Sequence, residues 1–93
     1  MKNSFASSFG AIVIPTRAGK DLESHDGTKD AHIRIEGYDE VGTNIYVDIF
    51  DSTIKDSSLA HLVSEMFHWT DDGADQATHF LQRYGFRCAV MIK

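Results

Sequence analysis

Apolar and polar residues alternate with period two over "HIRIEGY" and again over "IYVDIFD". In the first stretch Ile33 and Ile35 fall on one face, and His32, Arg34 and Glu36 on the other. In the second, Ile45, Val47 and Ile49 stand opposite Tyr46, Asp48 and Phe50. That period marks half-buried strands, and the Gly, Asn and Asp of the intervening "DEVGTN" predict a hairpin. Two more strands are expected near the ends. "FGAIVIP", residues 9–15, is β-branched and stopped by Pro15. "FRCAVMI", residues 86–92, is apolar on both faces, which predicts an inner position in the sheet.

Between the third and fourth strands the period changes. In "SSLAHLVSEMFHW", Leu59, Leu62, Val63, Met66 and Phe67 follow the i, i+3, i+4, i+7, i+8 spacing of an amphipathic helix. Asp56, Ser57 and Ser58 offer oxygens to cap it. A second helix follows in "TDDGADQATHFLQRYGF". There Thr70, Asp71 or Asp72 can cap; Ala74, Ala77, Leu81 and Tyr84 form the buried stripe, with Thr78 and Phe80 at its margins. Gly85 stands where a left-handed residue ends a helix, and Phe86 can supply the accompanying apolar contact. The expected fold is α+β: β-β-β-α-α-β, a mostly antiparallel four-stranded sheet with two helices on one face. A single domain spans residues 1–93, with 1–8 as a frayed N-terminus and 16–30 as an exposed loop. The size suits one modest core.

Composition removes several function classes. The one cysteine, Cys88, excludes an internal disulfide, fits a cytoplasmic setting, and on the apolar side of a strand is expected to be an inert core thiol. No apolar run is long enough to span a membrane. Residues 36–75 carry ten acids against Lys55 alone, within a chain of net charge −5. That distribution argues against direct nucleic-acid binding, which needs clustered Lys and Arg, and favours a partner with a basic surface. The chemistry-rich stretch is "HWTDDGADQATHF", with His68, Asp71, Asp72, Asp75 and His79. Its spacing matches no HxxxH, HExxH or CxxC pattern, and its acids suit the start of a helix, so it reads as a helix boundary. No catalytic residue, metal or cofactor is expected.

The candidate site is the uncovered face of the sheet, where Tyr46, Asp48 and Phe50 form an aromatic–acid–aromatic row. Glu36, Asp39 and Glu40 lie nearby across the hairpin. Aromatic anchors ringed by carboxylates suit docking on a cationic protein site. In its size, its acidic 36–75 segment and its want of catalytic signatures, the chain resembles small phage-encoded inhibitors of the anti-CRISPR type. That resemblance implies a non-catalytic inhibitor that occupies a nucleic-acid-binding site, or blocks a required rearrangement, on a larger protein or nucleoprotein. It would act in the host cytoplasm if phage-encoded. It carries no functional residue over to this chain. Two alternatives stand beside it: a small enzyme or ligand-binding domain using the His/Asp cluster near the helix junction, and a self-associating subunit, a homodimer formed through an exposed strand or helix.

Overall fold

The structure, a computed structural model, describes residues 10–38 and 42–92. In chain order the elements are β1 (Ala11–Val13), β2 (Lys20–Glu23), β3 (Lys29–Tyr38), β4 (Gly42–Asp51), α1 (Ser57–Ala60), β5 (His61–His68), α2 (Asp71–Arg83) and β6 (Cys88–Val90). Four strands make an antiparallel sheet in the order β2-β3-β4-β5. With its two helices the chain is an α+β fold, as the sequence patterning predicts. The β3–β4 hairpin is the expected one, with Ile33 opposite Val47 and Ile35 opposite Ile45.

The segments that supply the strands differ from the expectation in three places. The helix expected over 57–69 is a single turn, α1, followed by the strand β5. Asp56 does cap that turn, its carboxylate accepting from the Ser58 backbone N–H at 3.0 Å. The helix does not continue, because β4 offers an unpaired edge and β5 satisfies its backbone groups over seven residue pairs. In this register Val63 and Phe67 are half-buried against the core, whereas Leu59 and Leu62 are exposed. The segment 16–30, expected as an exposed loop, carries β2, which pairs with β3. Finally, β1 and β6 stand outside the main sheet as a two-stranded parallel pair. Thr16, just past β1, tethers that pair to the sheet by accepting the Ile35 N–H at 3.0 Å. Residues 1–8, expected as a frayed terminus, lie outside the described residues.

One core joins these parts. Ile33, Ile45, Val47 and Ile49 are fully buried on one face of the sheet, together with Ala77 and Leu81 of α2. Each such Val, Leu or Ile side chain contributes about 1.5–3 kcal/mol through burial. Phe86, Cys88 and Val90 close the core from the β6 side. Burial raises the Cys88 thiol to about 11 by desolvation, which keeps it protonated and poorly nucleophilic. Phe67 of β5 meets Phe80 of α2 with ring centroids 5.6 Å apart, so the strand and the helix pack directly.

The helix α2 has the ends its sequence announces. Thr70 is the N-cap, accepting the Gly73 N–H at 2.9 Å, and Asp71 and Asp72 lie in the first turn near the positive end of the dipole. At the other end Phe86 N–H donates to the Leu81 carbonyl and Gly85 N–H to the Gln82 carbonyl, the two bonds of a Schellman motif. Thr78 and Phe80, expected at the margins of the buried stripe, are inside the core. The Thr78 hydroxyl donates to the Ala74 carbonyl and accepts the Val90 N–H at 2.8 Å, bonding α2 to β6. Thr78→Val keeps the shape but leaves the Val90 N–H buried without that acceptor. It should lower unfolding free energy by about 1–3 kcal/mol in urea titrations, and a neutral result would contradict the bridge.

Candidate binding face of the sheet

Because side chains alternate along a strand, one face of the sheet packs on α2 and the β6 side of the core, and among the described residues no element covers the other. The register assembles that second face residue by residue. Asp21 pairs with His32, His32 with Asp48, and Asp48 with Ser64, making one row across four strands. A second row runs Glu23, Asp30, Phe50 and His61, and a third runs Arg34, Tyr46 and Met66. Glu36 lies at the hairpin end, beside Asn44. Of the residues picked from sequence, Glu36, Tyr46, Asp48 and Phe50 therefore share this face. Asp39 and Glu40 lie outside the described residues.

Each aromatic anchor is held by a neighbour from a flanking strand. The Arg34 guanidinium lies 4.9 Å from the centroid of the Tyr46 ring, and its Nε reaches a Glu36 carboxylate oxygen at 3.3 Å. Phe50 meets the His61 ring with centroids 5.2 Å apart. Tyr46, Asp48 and Phe50 are all half-buried, their bodies packed between strands and their outer surfaces wet. Beside Phe50 the sheet dips into an open depression of about 570 Å³, its rim formed by Asp21, Glu23, Asp30 and His32. His32 Nδ1 is 2.7 Å from Asp21 Oδ1, fixing the imidazole against that rim.

Asp48, Ser64 and His61 are the three residue types of a hydrolytic triad, but they are wired differently. The Ser64 hydroxyl donates to Asp48, and His61 Nε2 lies 2.9 Å from the Ser64 oxygen and 3.4 Å from Asp48. With its one proton on the carboxylate, the serine accepts from the imidazole N–H. A nucleophilic serine needs the reverse, its proton aimed at a histidine lone pair. The arrangement orients Asp48 and ties β4 to β5. Among the described residues no three His, Cys, Asp or Glu side chains converge where a metal ion could be held. In "HWTDDGADQATHF" His68 ends β5, and Thr70, Asp71 and Asp72 open α2. No helix among the described residues is long and apolar enough to cross a membrane.

The acidic middle of the chain divides between structure and surface. Asp26, Asp51 and Asp56 each accept the N–H and the hydroxyl of the residue two positions on, Thr28, Thr53 and Ser58, fastening three turns in the same way. The bonds from the Thr28 N–H and hydroxyl, joined by one from Ser24, pull the Asp26 carboxyl down to about 2. Asp51 and Asp56 are also lowered, by the hydroxyl and N–H of Thr53 and of Ser58 respectively. A depressed folded-state pKa stabilises above the unfolded value of 3.8 and is lost as pH falls toward 2. Melting temperature should therefore decline through that window, and Asp26→Asn should flatten the decline; an unchanged slope would remove Asp26 from the turn's energetics.

Three carboxylates of the binding face, Asp21, Glu23 and Asp30, come instead from residues 16–30, the expected exposed loop. The signal that could have found them is the Asp26-Gly27 turn pair just ahead of the alternation in "KDAHIRI", which marks the turn of a hairpin. His61 and Ser64 were hidden by the helical reading of 57–69. No protein-family model matches this chain, and no curated protein or solved structure does either.

Proposed function

We propose that the protein is a non-catalytic binding protein that docks the uncovered face of its sheet on a cationic site of a larger protein or nucleoprotein. It would inhibit that partner by occupying a nucleic-acid-binding surface, in the manner of anti-CRISPR-type inhibitors. One observation carries the reading: the face sets Tyr46 and Phe50 among Asp21, Glu23, Asp30, Glu36 and Asp48, with Arg34 as the one Lys or Arg in those rows. Arg34 itself is committed to Tyr46 and Glu36. Half-buried aromatics held by neighbouring strands make rigid anchors that lose little side-chain freedom on binding. The surrounding carboxylates match the sign pattern of a phosphate-binding site's complement and steer encounter.

The test is capture of a partner from lysate, followed by titration of that partner with purified variants. Tyr46→Ala and Phe50→Ala should each weaken binding by roughly 30-fold, the scale of a 2 kcal/mol anchor. Asp48→Asn should act chiefly on the association rate, and binding should slow with salt because the screening length falls to about 8 Å at physiological ionic strength. Circular dichroism checks that each variant stays folded. A partner bound equally well by all three variants would move the interface off this face. Turnover of a small substrate by the purified protein would replace the class altogether.

A further inference from the structure

The four-stranded sheet has two edges, and they are built differently. The β2 edge is four residues long and reads Lys-Asp-Leu-Glu, short and charged as edges that resist pairing are. The β5 edge is eight residues, His61–His68, with Glu65 as its one Asp, Glu, Lys or Arg and no proline. A register shift near Leu62 bends its start, and Val63–His68 beyond it pairs regularly with β4. The exposed large apolar side chains concentrate here. Leu62 is 47% and Met66 46% exposed on the strand itself, and Leu59, on the turn leading into it, is 69% exposed. Among the described residues nothing pairs with the outer side of β5, and an extended, apolar edge of this kind is a template for another strand.

We propose that the occupant is a second copy of this chain, paired antiparallel through β5 about a two-fold axis at Ser64. The strand's own sequence selects both the partner and the register. With Ser64 opposite Ser64, Leu62 of each copy lies across from Met66 of the other, and Glu65 lies across from Val63. Apolar meets apolar, and the charged residue meets a neutral one. Opposite residues must share a face, so the register can slip only by steps that keep the two copies' side chains in phase. The next register puts Glu65 opposite Glu65, and two like charges directly opposed are destabilising. Slipping the other way centres the pairing on Val63 and sets Ser64 and Glu65 against the irregular start of the strand, Leu62 and His61, whereas the Ser64 register keeps Val63 to Glu65 regular at its centre. A closed two-fold contact uses the same patch twice and leaves no further edge of this kind exposed.

The axis runs perpendicular to the sheet, so α2 of both copies lies on one side and both open faces on the other. Eight strands then form one continuous sheet, β2 to β5 of one copy followed by β5 to β2 of its partner. The contact runs along the edge where Ser64 and Met66 end two rows of the docking face, but its readout, the mass of the assembly, does not depend on docking.

Sedimentation equilibrium over a range of protein concentrations reads the outcome directly. The wild-type chain should reach twice its 10.4 kDa mass. Leu62→Lys with Met66→Lys, two exposed positions, should return it to the single-chain mass with its circular dichroism intact. Ser64→Cys supplies a second readout that does not depend on disrupting the fold. Residues opposed across an antiparallel pair have Cα atoms about 4.5–5.5 Å apart, within disulfide reach. Because Cys88 is buried, oxidation should join Ser64→Cys chains through the new thiol, giving a covalent dimer on a non-reducing gel. Met66→Cys, displaced from its own copy along the strand, should stay single. The proposal fails if the wild type remains single at every concentration. It fails equally if a dimer persists in the double lysine variant, or if Met66→Cys crosslinks and Ser64→Cys does not.

Discussion

Gly73→Ala should destabilise the protein by about 3 kcal/mol, at the upper end of what overpacking costs. The sign is the informative part, because a glycine inside a helix is ordinarily improved by alanine, by about 1 kcal/mol. Gly73 is the third residue of α2 and is buried where the helix begins. A Cβ there would lie 1.8 Å from the His68 carbonyl oxygen and 2.8 Å from its carbonyl carbon. Both are backbone atoms at the end of β5, and the same carbonyl already accepts the Thr70 N–H at 2.8 Å. Neither partner can swing aside as a side-chain tip would. The glycine is thus the contact that lets α2 start directly over the end of the strand, bringing Phe80 down onto Phe67. Urea denaturation of the variant measures the cost. A stabilised Gly73→Ala protein would mean that β5 does not end against the helix, and with it would go the exposed edge at residues 61–68.

The strand and the helix that meet at Gly73 were unequally legible in sequence. For α2 each local signal pointed the same way: Thr70 and the acids at the start, a stripe of Ala74, Ala77 and Leu81, and Gly85 at the end. Residues 57–68 carried two periods at once. Leu59, Leu62, Val63, Met66 and Phe67 fit a helical stripe, while Val63, Glu65 and Phe67 fit one face of a strand. The strand won because β4, ten residues long, needs a partner on its second side, and only tertiary context supplies that need. Glu65 on the α2 side masked the alternation; at a sheet edge it reaches water beside Gln76 and Arg83.

Tyr46, Asp48 and Phe50 were legible as a row because alternation within one strand fixes which side chains share a face. Their neighbours were not, since sequence does not say which strands lie side by side. The net charge of residues 36–75 also misled in part. Asp51 and Asp56 hold turns, and Asp71 and Asp72 serve the dipole of α2, whereas Asp21, Glu23 and Asp30 reach the face from the more neutral N-terminal third. Charge counted along the chain becomes charge on a surface only after pairing is known.

Phe86→Ala should remove about 3–5 kcal/mol, the cost of emptying a large aromatic site in a core. Phe86 is 2% exposed and the largest of the fully packed side chains. It also closes the Schellman motif, its N–H on the Leu81 carbonyl and its ring in the same core cluster as the Leu81 side chain. The adjacent Gly85 gives the matching small effect. Its φ of +89° lies in the left-handed region, and an added Cβ would meet nothing within 4 Å. Gly85→Ala therefore carries only the conformational penalty, about 1 kcal/mol. The ratio of the two separates a helix stop that sets backbone direction from a side chain that fills volume. It also decides the meaning of "RYGFR", whose aromatic and basic letters suit a nucleobase platform on paper. A ring needed inside the core cannot stack on a base. Thermal or urea unfolding of both variants measures the ratio. A Phe86→Ala protein no less stable than Gly85→Ala would release the ring from the core and make this junction a candidate binding surface.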